Sequence, residues 1–111
     1  MELTKKLIPQ WVELEYNGEK IAFLCSPLTA SQIITARSLV ESPATIGEGL
    51  MTSARYSVRD WRGITVDGAP IVFSAQALEE FFTGPLLAGL LLQLGAEIIN
   101  RSKLTEPERK N

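Results

Sequence analysis

Between residues 11 and 16 the side chains alternate in character. Trp11, Glu13 and Glu15 fall on one side, with Val12, Leu14 and Tyr16 on the other. A period of two is the signature of a strand with one covered face. The run stops at Asn17-Gly18, after which Ile21, Phe23 and Cys25 share one face and Ala22 and Leu24 the other. Asn-Gly between two such runs predicts a hairpin, because both turn residues must take positive φ. The return strand has little polar character, so both of its faces are expected to be covered.

From Ser26 the spacing lengthens to that of helices. Ser26-Pro27 offers a cap followed by a first-turn proline. Thr29 with Gln32 three residues on matches a capping box. Ala30, Ile33, Ile34, Arg37 and Val40 then recur at helical spacing, and Pro43 interrupts the helix. A second helix is expected near Thr45, where Thr45 and Glu48 repeat the box. Ile46, Leu50, Ala54, Val58 and Trp61 form one apolar stripe along it, with Arg55, Arg59 and Arg62 opposite.

A second hairpin is predicted around Asp67-Gly68, with Pro70 at a strand start or on an edge, since proline has no amide hydrogen to give a ladder. Ser74 is placed to cap the helix over 75–82. Gly84-Pro85 ends that helix and opens a longer one reaching residue 103. Ile and Phe stand three and five residues after the turn glycine in both hairpins (Ile21 and Phe23, Ile71 and Phe73). Two independent hairpins with apolar return strands account for that echo as well as a repeat does.

These elements make an α+β fold of two hairpins packed with about four helices, a single small domain over 1–102. A polar tail follows over 103–111, expected to fray. A length of 111 residues fits one domain, and with 45% hydrophobic and 22% charged residues the chain reads as globular rather than disordered. The net charge of −2 gives no electrostatic case for nucleic acid. Cys25 is the only cysteine, so no internal disulfide can form. The apolar run over 85–99 is too short to cross a bilayer. A soluble protein of a reducing cytoplasm is expected.

Candidate chemistry is sparse. With no histidine in the chain, the usual proton shuttle near neutral pH and the commonest zinc ligand are missing. The glycines match neither a phosphate loop nor a dinucleotide fingerprint. Cys25 lies in an apolar strand with no base near it in sequence and reads as a core residue. Asp67 belongs to a turn and Asp60 sits among arginines, so the two read as surface rather than as a carboxylate pair. Glu79 and Glu80 read as the solvent side of a short helix. No catalytic, metal or cofactor residue is assigned, and an enzyme is not expected.

What stands out is apolar helix. Leu87, Leu90, Leu91, Leu94 and Ile98 form a stripe, Leu86 and Leu92 lie off it, and Ile99 widens it. A helix apolar nearly all round needs cover nearly all round. Each leucine left in water forgoes about 1.5–3 kcal/mol. Either the helix is central to the fold, or it meets another molecule, with Ala88, Gly89, Gly95 and Ala96 allowing a second helix to come close.

Trp61-x-Gly63-Ile64, Asp67-Gly68-x-Pro70, Phe73-Ser74 and Leu78 together resemble the pattern W-x-G-V…D-x-G-x-P…F-S…L of the short tail assembly chaperones of long-tailed phages and prophages. The turn here is tighter than is usual there, and Val72 stands where a second proline is frequent. The resemblance covers 61–78 in motif and 60–100 loosely. It implies a non-enzymatic protein of the host bacterial cytoplasm that coats the tape measure protein until tail tube subunits replace it, working as a homo-oligomer. On this basis Phe81, Phe82, Leu86, Leu87, Leu90, Leu91 and Leu94 are the expected partner-binding residues. Trp61, Gly63, Asp67, Gly68, Pro70, Phe73 and Ser74 are expected to be scaffold. Such families also make a longer product by frameshifting. Arg109-Lys110-Asn111 can be encoded by a slippery A-AAA-AAY run, which the gene's codons would show or refute. Two other roles stay open: a tail-completion or head–tail joining protein, and a small RNA-binding regulator using Arg55, Arg59 and Arg62.

Overall fold

A computed structural model of the chain describes residues 8–82 and 88–102. Among the described residues the architecture is α+β, with a three-stranded and a two-stranded antiparallel sheet and four helices. The larger sheet starts with a hairpin, β1 (Gln10–Tyr16) and β2 (Glu19–Cys25). Asn17 and Gly18 turn it at φ 52° and 79°, the left-handed pair that the dipeptide predicts. Two helices follow, α1 (Ala30–Val40) and α2 (Ile46–Ser57), and then β3 (Val58–Arg62) pairs with the free side of β2. The short ribbon β4 (Thr65–Val66) and β5 (Ala69–Pro70) leads to α3 (Ala75–Phe81), and α4 (Ala88–Ser102) completes the described fold.

The helix starts are chosen locally. The Thr29 hydroxyl accepts from the Gln32 amide while the Gln32 side chain accepts from the Thr29 amide, the reciprocal box predicted for α1. Ser74 caps α3 in the same sense, accepting from the Ala77 amide at 2.9 Å. Thr45 does not act as a cap. Its hydroxyl turns back and donates to the Leu39 carbonyl at 2.6 Å, securing the bend between α1 and α2. The stripe predicted for α1 is covered only in part: Ile33 and Val40 are half-buried and Ile34 is 70% exposed, while the enclosed residue is Ala36, off that stripe.

The helical stripe over 46–61 is divided between two kinds of structure. α2 ends at Ser57, and Val58 and Trp61 enter the core from a strand. Residues three apart on a regular strand face opposite ways. Here Cys25 pairs with Val58 but Leu24 pairs with Asp60, so Arg59 is an extra residue in β3. This bulge returns Trp61 to the face of Val58 and reproduces helical spacing within a strand. The junction is held by two hydrogen bonds: the Ser26 amide donates to the Ser57 carbonyl at 2.8 Å, and the Ser57 hydroxyl to the Ser26 carbonyl at 2.6 Å.

Helices cover one face of the larger sheet. Val12, Ile21, Phe23, Cys25, Val58 and Trp61 point into the core, where Leu90, Leu94 and Ile98 of α4 join them. The other face carries exposed Trp11, Glu13, Glu15, Lys20, Asp60 and Arg62, with the Arg62 guanidinium 4.1 Å above the Trp11 ring. Both faces of β2 are nonetheless covered as expected: Ile21, Phe23 and Cys25 lie in the core, and on the other face Ala22 is buried and Leu24 half-buried. Ala22 is buried there by its cross-strand neighbours Glu13 and Arg62.

α4 belongs to the core. Leu90, Leu94 and Ile98 are enclosed, each favouring the folded state by about 1.5–3 kcal/mol. Small residues let the chain's own elements approach. A methyl group on Gly95 would lie 2.5 Å from Leu50 of α2, and one on Gly89 would lie 3.2 Å from the Tyr16 ring. Both glycines thus serve contacts within the chain, while Ala88 and Ala96 are exposed. The Ser102 hydroxyl accepts from the Leu28 amide at 2.9 Å and ties the end of α4 to the loop before α1.

Candidate functional site

The motif-bearing stretch is assembled around one side chain. Trp61 is buried in β3, and its indole N–H donates to the Ile71 carbonyl at 2.8 Å. Phe73 meets it edge-on, centroids 5.1 Å apart, and Phe81 packs tilted at 5.5 Å. Phe82 lies edge-on to Phe81 at 4.9 Å and stacks on Phe23 at 6.4 Å. Aromatic pairs in these geometries contribute about 0.5–1.5 kcal/mol each beyond their burial. Gly63, at φ 87°, allows the turn out of β3; a methyl there would come 2.8 Å from the Lys20 carbonyl. Trp61, Gly63, Asp67, Gly68, Pro70, Phe73 and Ser74 belong to a turn and ribbon that set α3 against β3.

That placement leaves an open cleft of about 550 Å³ between the end of α2, the start of β3 and α3. Val58, Phe73, Ala75 and Leu78 supply its apolar lining, with Arg55, Arg59, Gln76 and Glu79 beside them. Arg55 holds the walls together. Its Nε and Nη2 donate to the two carboxylate oxygens of Glu79, the second at 3.2 Å, and Nη1 donates to Glu48 at 3.0 Å. Those bonds, the one with Glu79 foremost, raise the Arg55 pKa, and Arg55 in turn holds the Glu79 carboxyl below its usual range. Both groups stay ionised throughout the neutral range. Arg59 makes only a 3.4 Å contact with the carbonyl of Val58 among the described residues.

The expected partner-binding residues are scattered by the fold. Leu90 and Leu94 are wholly enclosed and Leu91 is half-buried against the core, which corrects their assignment to a surface: they fill the space between α2 and the sheet. Phe81 and Phe82 are half-buried in the aromatic cluster just described, so packing within the chain accounts for them. Leu86 and Leu87 lie outside the described residues, as does the tail 103–111. Of the α4 leucines described, Leu92 is the exposed one, at 53%. The three arginines do not line one helix. Arg55 is on α2 and paired, Arg62 stacks on Trp11 across the sheet, and only Arg55 and Arg59 share the cleft.

Chemistry elsewhere is structural. Burial pushes the Cys25 thiol up to about 11, far from a reactive thiolate at neutral pH. Asp60 accepts from the Trp61 amide at 2.8 Å, and Asp67 holds the turn at φ 52°. Among the described residues no three His, Cys, Asp or Glu side chains gather as a metal site, and no helix is long and apolar enough to cross a membrane. The cleft was missed from sequence because Arg55 and Glu79 meet across 24 positions; the local hint was a pair of arginines four residues apart, Arg55 and Arg59. Comparisons with models of known families, with curated proteins and with solved structures find no match to this chain.

Proposed function

We propose that this protein is a non-enzymatic binding protein of phage tail morphogenesis, a tail assembly chaperone that holds the tape measure protein soluble in the host cytoplasm. The observation that carries this is the run from Trp61 to Leu78. Its residues resemble the chaperone motif, and they form one aromatic scaffold beside an open apolar cleft. A cleft floored by apolar side chains suits recognition of an amphipathic segment. The buried part of α4 takes no part in that recognition, so contact falls to residues left at the surface, Leu92 among them. Homo-oligomer formation, and a longer frameshifted form that meets the tail tube protein, are parts of the same proposal.

Co-expression with the tape measure protein of the same genome tests it. The partner is expected to stay soluble and to copurify, and the protein to be absent from purified virions by mass spectrometry. Leu92→Asp, on an exposed position, should leave folding intact and reduce the copurified partner. Equal insolubility of the tape measure protein with and without this chain would overturn the chaperone role. Recovery of the chain in mature particles would point instead to a tail-completion or head–tail joining component.

A further inference from the structure

We propose that the cleft between α2, β3 and α3 is the docking site for an acidic amphipathic helix of a partner protein, a proposal that rests on the protein-binding role above. The occupant is specified by the walls. Half-buried Phe73 and exposed Ala75 provide apolar surface above the enclosed Val58 and Leu78, within about 550 Å³, inside the range of about 300–1,000 Å³ usual for ligand sites. Small-molecule sites converge polar groups on their ligand. Here the polar groups stand beside an apolar lining, an arrangement that suits apolar anchors one helical turn apart.

Charge decides the sign of the partner. Arg55 is already matched by Glu48 and Glu79, and its bonds to Glu79 keep that carboxylate occupied. Arg59 has no carboxylate partner among the described residues, its one bond being the weak contact with Val58. A carboxylate on the incoming helix gains a charge-assisted hydrogen bond from Arg59. A lysine in the same place meets two arginines and a glutamate that is already engaged. The cleft therefore selects apolar residues three or four apart with Asp or Glu beside them.

The test is selection of binders to the full-length protein from a random library of linear peptides displayed on phage. Affinities of the enriched peptides are then measured by fluorescence anisotropy. Two variants are compared, with folding checked by circular dichroism: Ala75→Trp, which fills the cleft from an exposed position, and Arg59→Glu. Enriched peptides are expected to be amphipathic and acidic. They should weaken by about tenfold or more on either variant, as for loss of an interface hot spot, and should weaken as salt rises. No enrichment, enrichment of basic peptides, or affinities unchanged by both variants would overturn the docking site. Self-association of the wild type abolished by Ala75→Trp would overturn it too, assigning the cleft to a second copy of the chain. If Ala75→Trp still copurifies with the tape measure protein, the cleft proposal fails and the chaperone role stands. If the peptides behave as expected while the tape measure protein is not retained, the reverse holds.

Discussion

Asn17-Gly18 and Asp67-Gly68 hold the same conformations, φ 52° then 79° in each turn, yet the first closes strands of seven residues and the second strands of two. Both are followed by an isoleucine and a phenylalanine at the same offsets. After the first turn, Ile21, Phe23 and Cys25 enter the core and β3 adds to the other edge of β2. After the second, the pairing runs one bond past Pro70, the Ile71 amide donating to the Ile64 carbonyl at 3.1 Å, and the Ile71 carbonyl then accepts from the indole of Trp61. The chain then leaves the ribbon to lay Phe73 against Trp61. A turn motif dictates where the chain reverses. How far the strands run is dictated by what they can bury and by the third strand available to pair with them.

The largest expected contrast between the hairpins is in their phenylalanines. Phe23 is wholly enclosed, and Phe23→Ala should cost about 3–5 kcal/mol in urea unfolding. Phe73 is half-buried at the rim of the cleft, and Phe73→Ala should cost about 1–2 kcal/mol, from partial burial and one edge-on contact. Equal losses would mean that the second hairpin is as much core as the first.

Next in size is an effect of pH confined to the first hairpin. The Cys25 thiol, at the end of β2, is raised from 9.0 to about 11, chiefly by burial. The unfolded chain therefore gives up this proton first. Stability is fully present below pH 9 and falls as pH rises toward 11, by on the order of 2 kcal/mol. Urea midpoints across that window should show the decline, and Cys25→Ala should flatten it.

The smallest contrast lies in the turn glycines. At φ 79° an alanine is strained by about 1 kcal/mol in either turn. Gly18→Ala should lower global stability by that amount, because the strands it joins are core. Gly68→Ala should cost less, since the two-residue ribbon can open locally and cap the loss. Amide exchange would show the second change confined to residues 64–71.

Features set within four or five residues were legible in advance: both turns, the Thr29 box and the Ser74 cap. Each depends on a backbone angle or a hydrogen bond that the local sequence alone satisfies. The β3 bulge was not legible, because the extra Arg59 places Val58 and Trp61 at a spacing that a helix would also give. The role of Leu90 and Leu94 was likewise hidden. Periodicity marks a face that must be covered, not what covers it, and the answer rests on Leu50 fitting against Gly95 from 45 positions away.

By itself, then, the sequence determined the α+β class, the two reversals and two of the helix starts, since these are short-range balances of torsion and hydrogen bonding. Tertiary structure alone decided that α4 is interior and that residues 58–62 join a sheet. It alone brought Arg55 and Arg59 together with Phe73, Leu78 and Glu79 around one cleft. Those outcomes depend on which surfaces meet once the chain has collapsed, and burial is satisfied by any partner of the right shape, near in sequence or far.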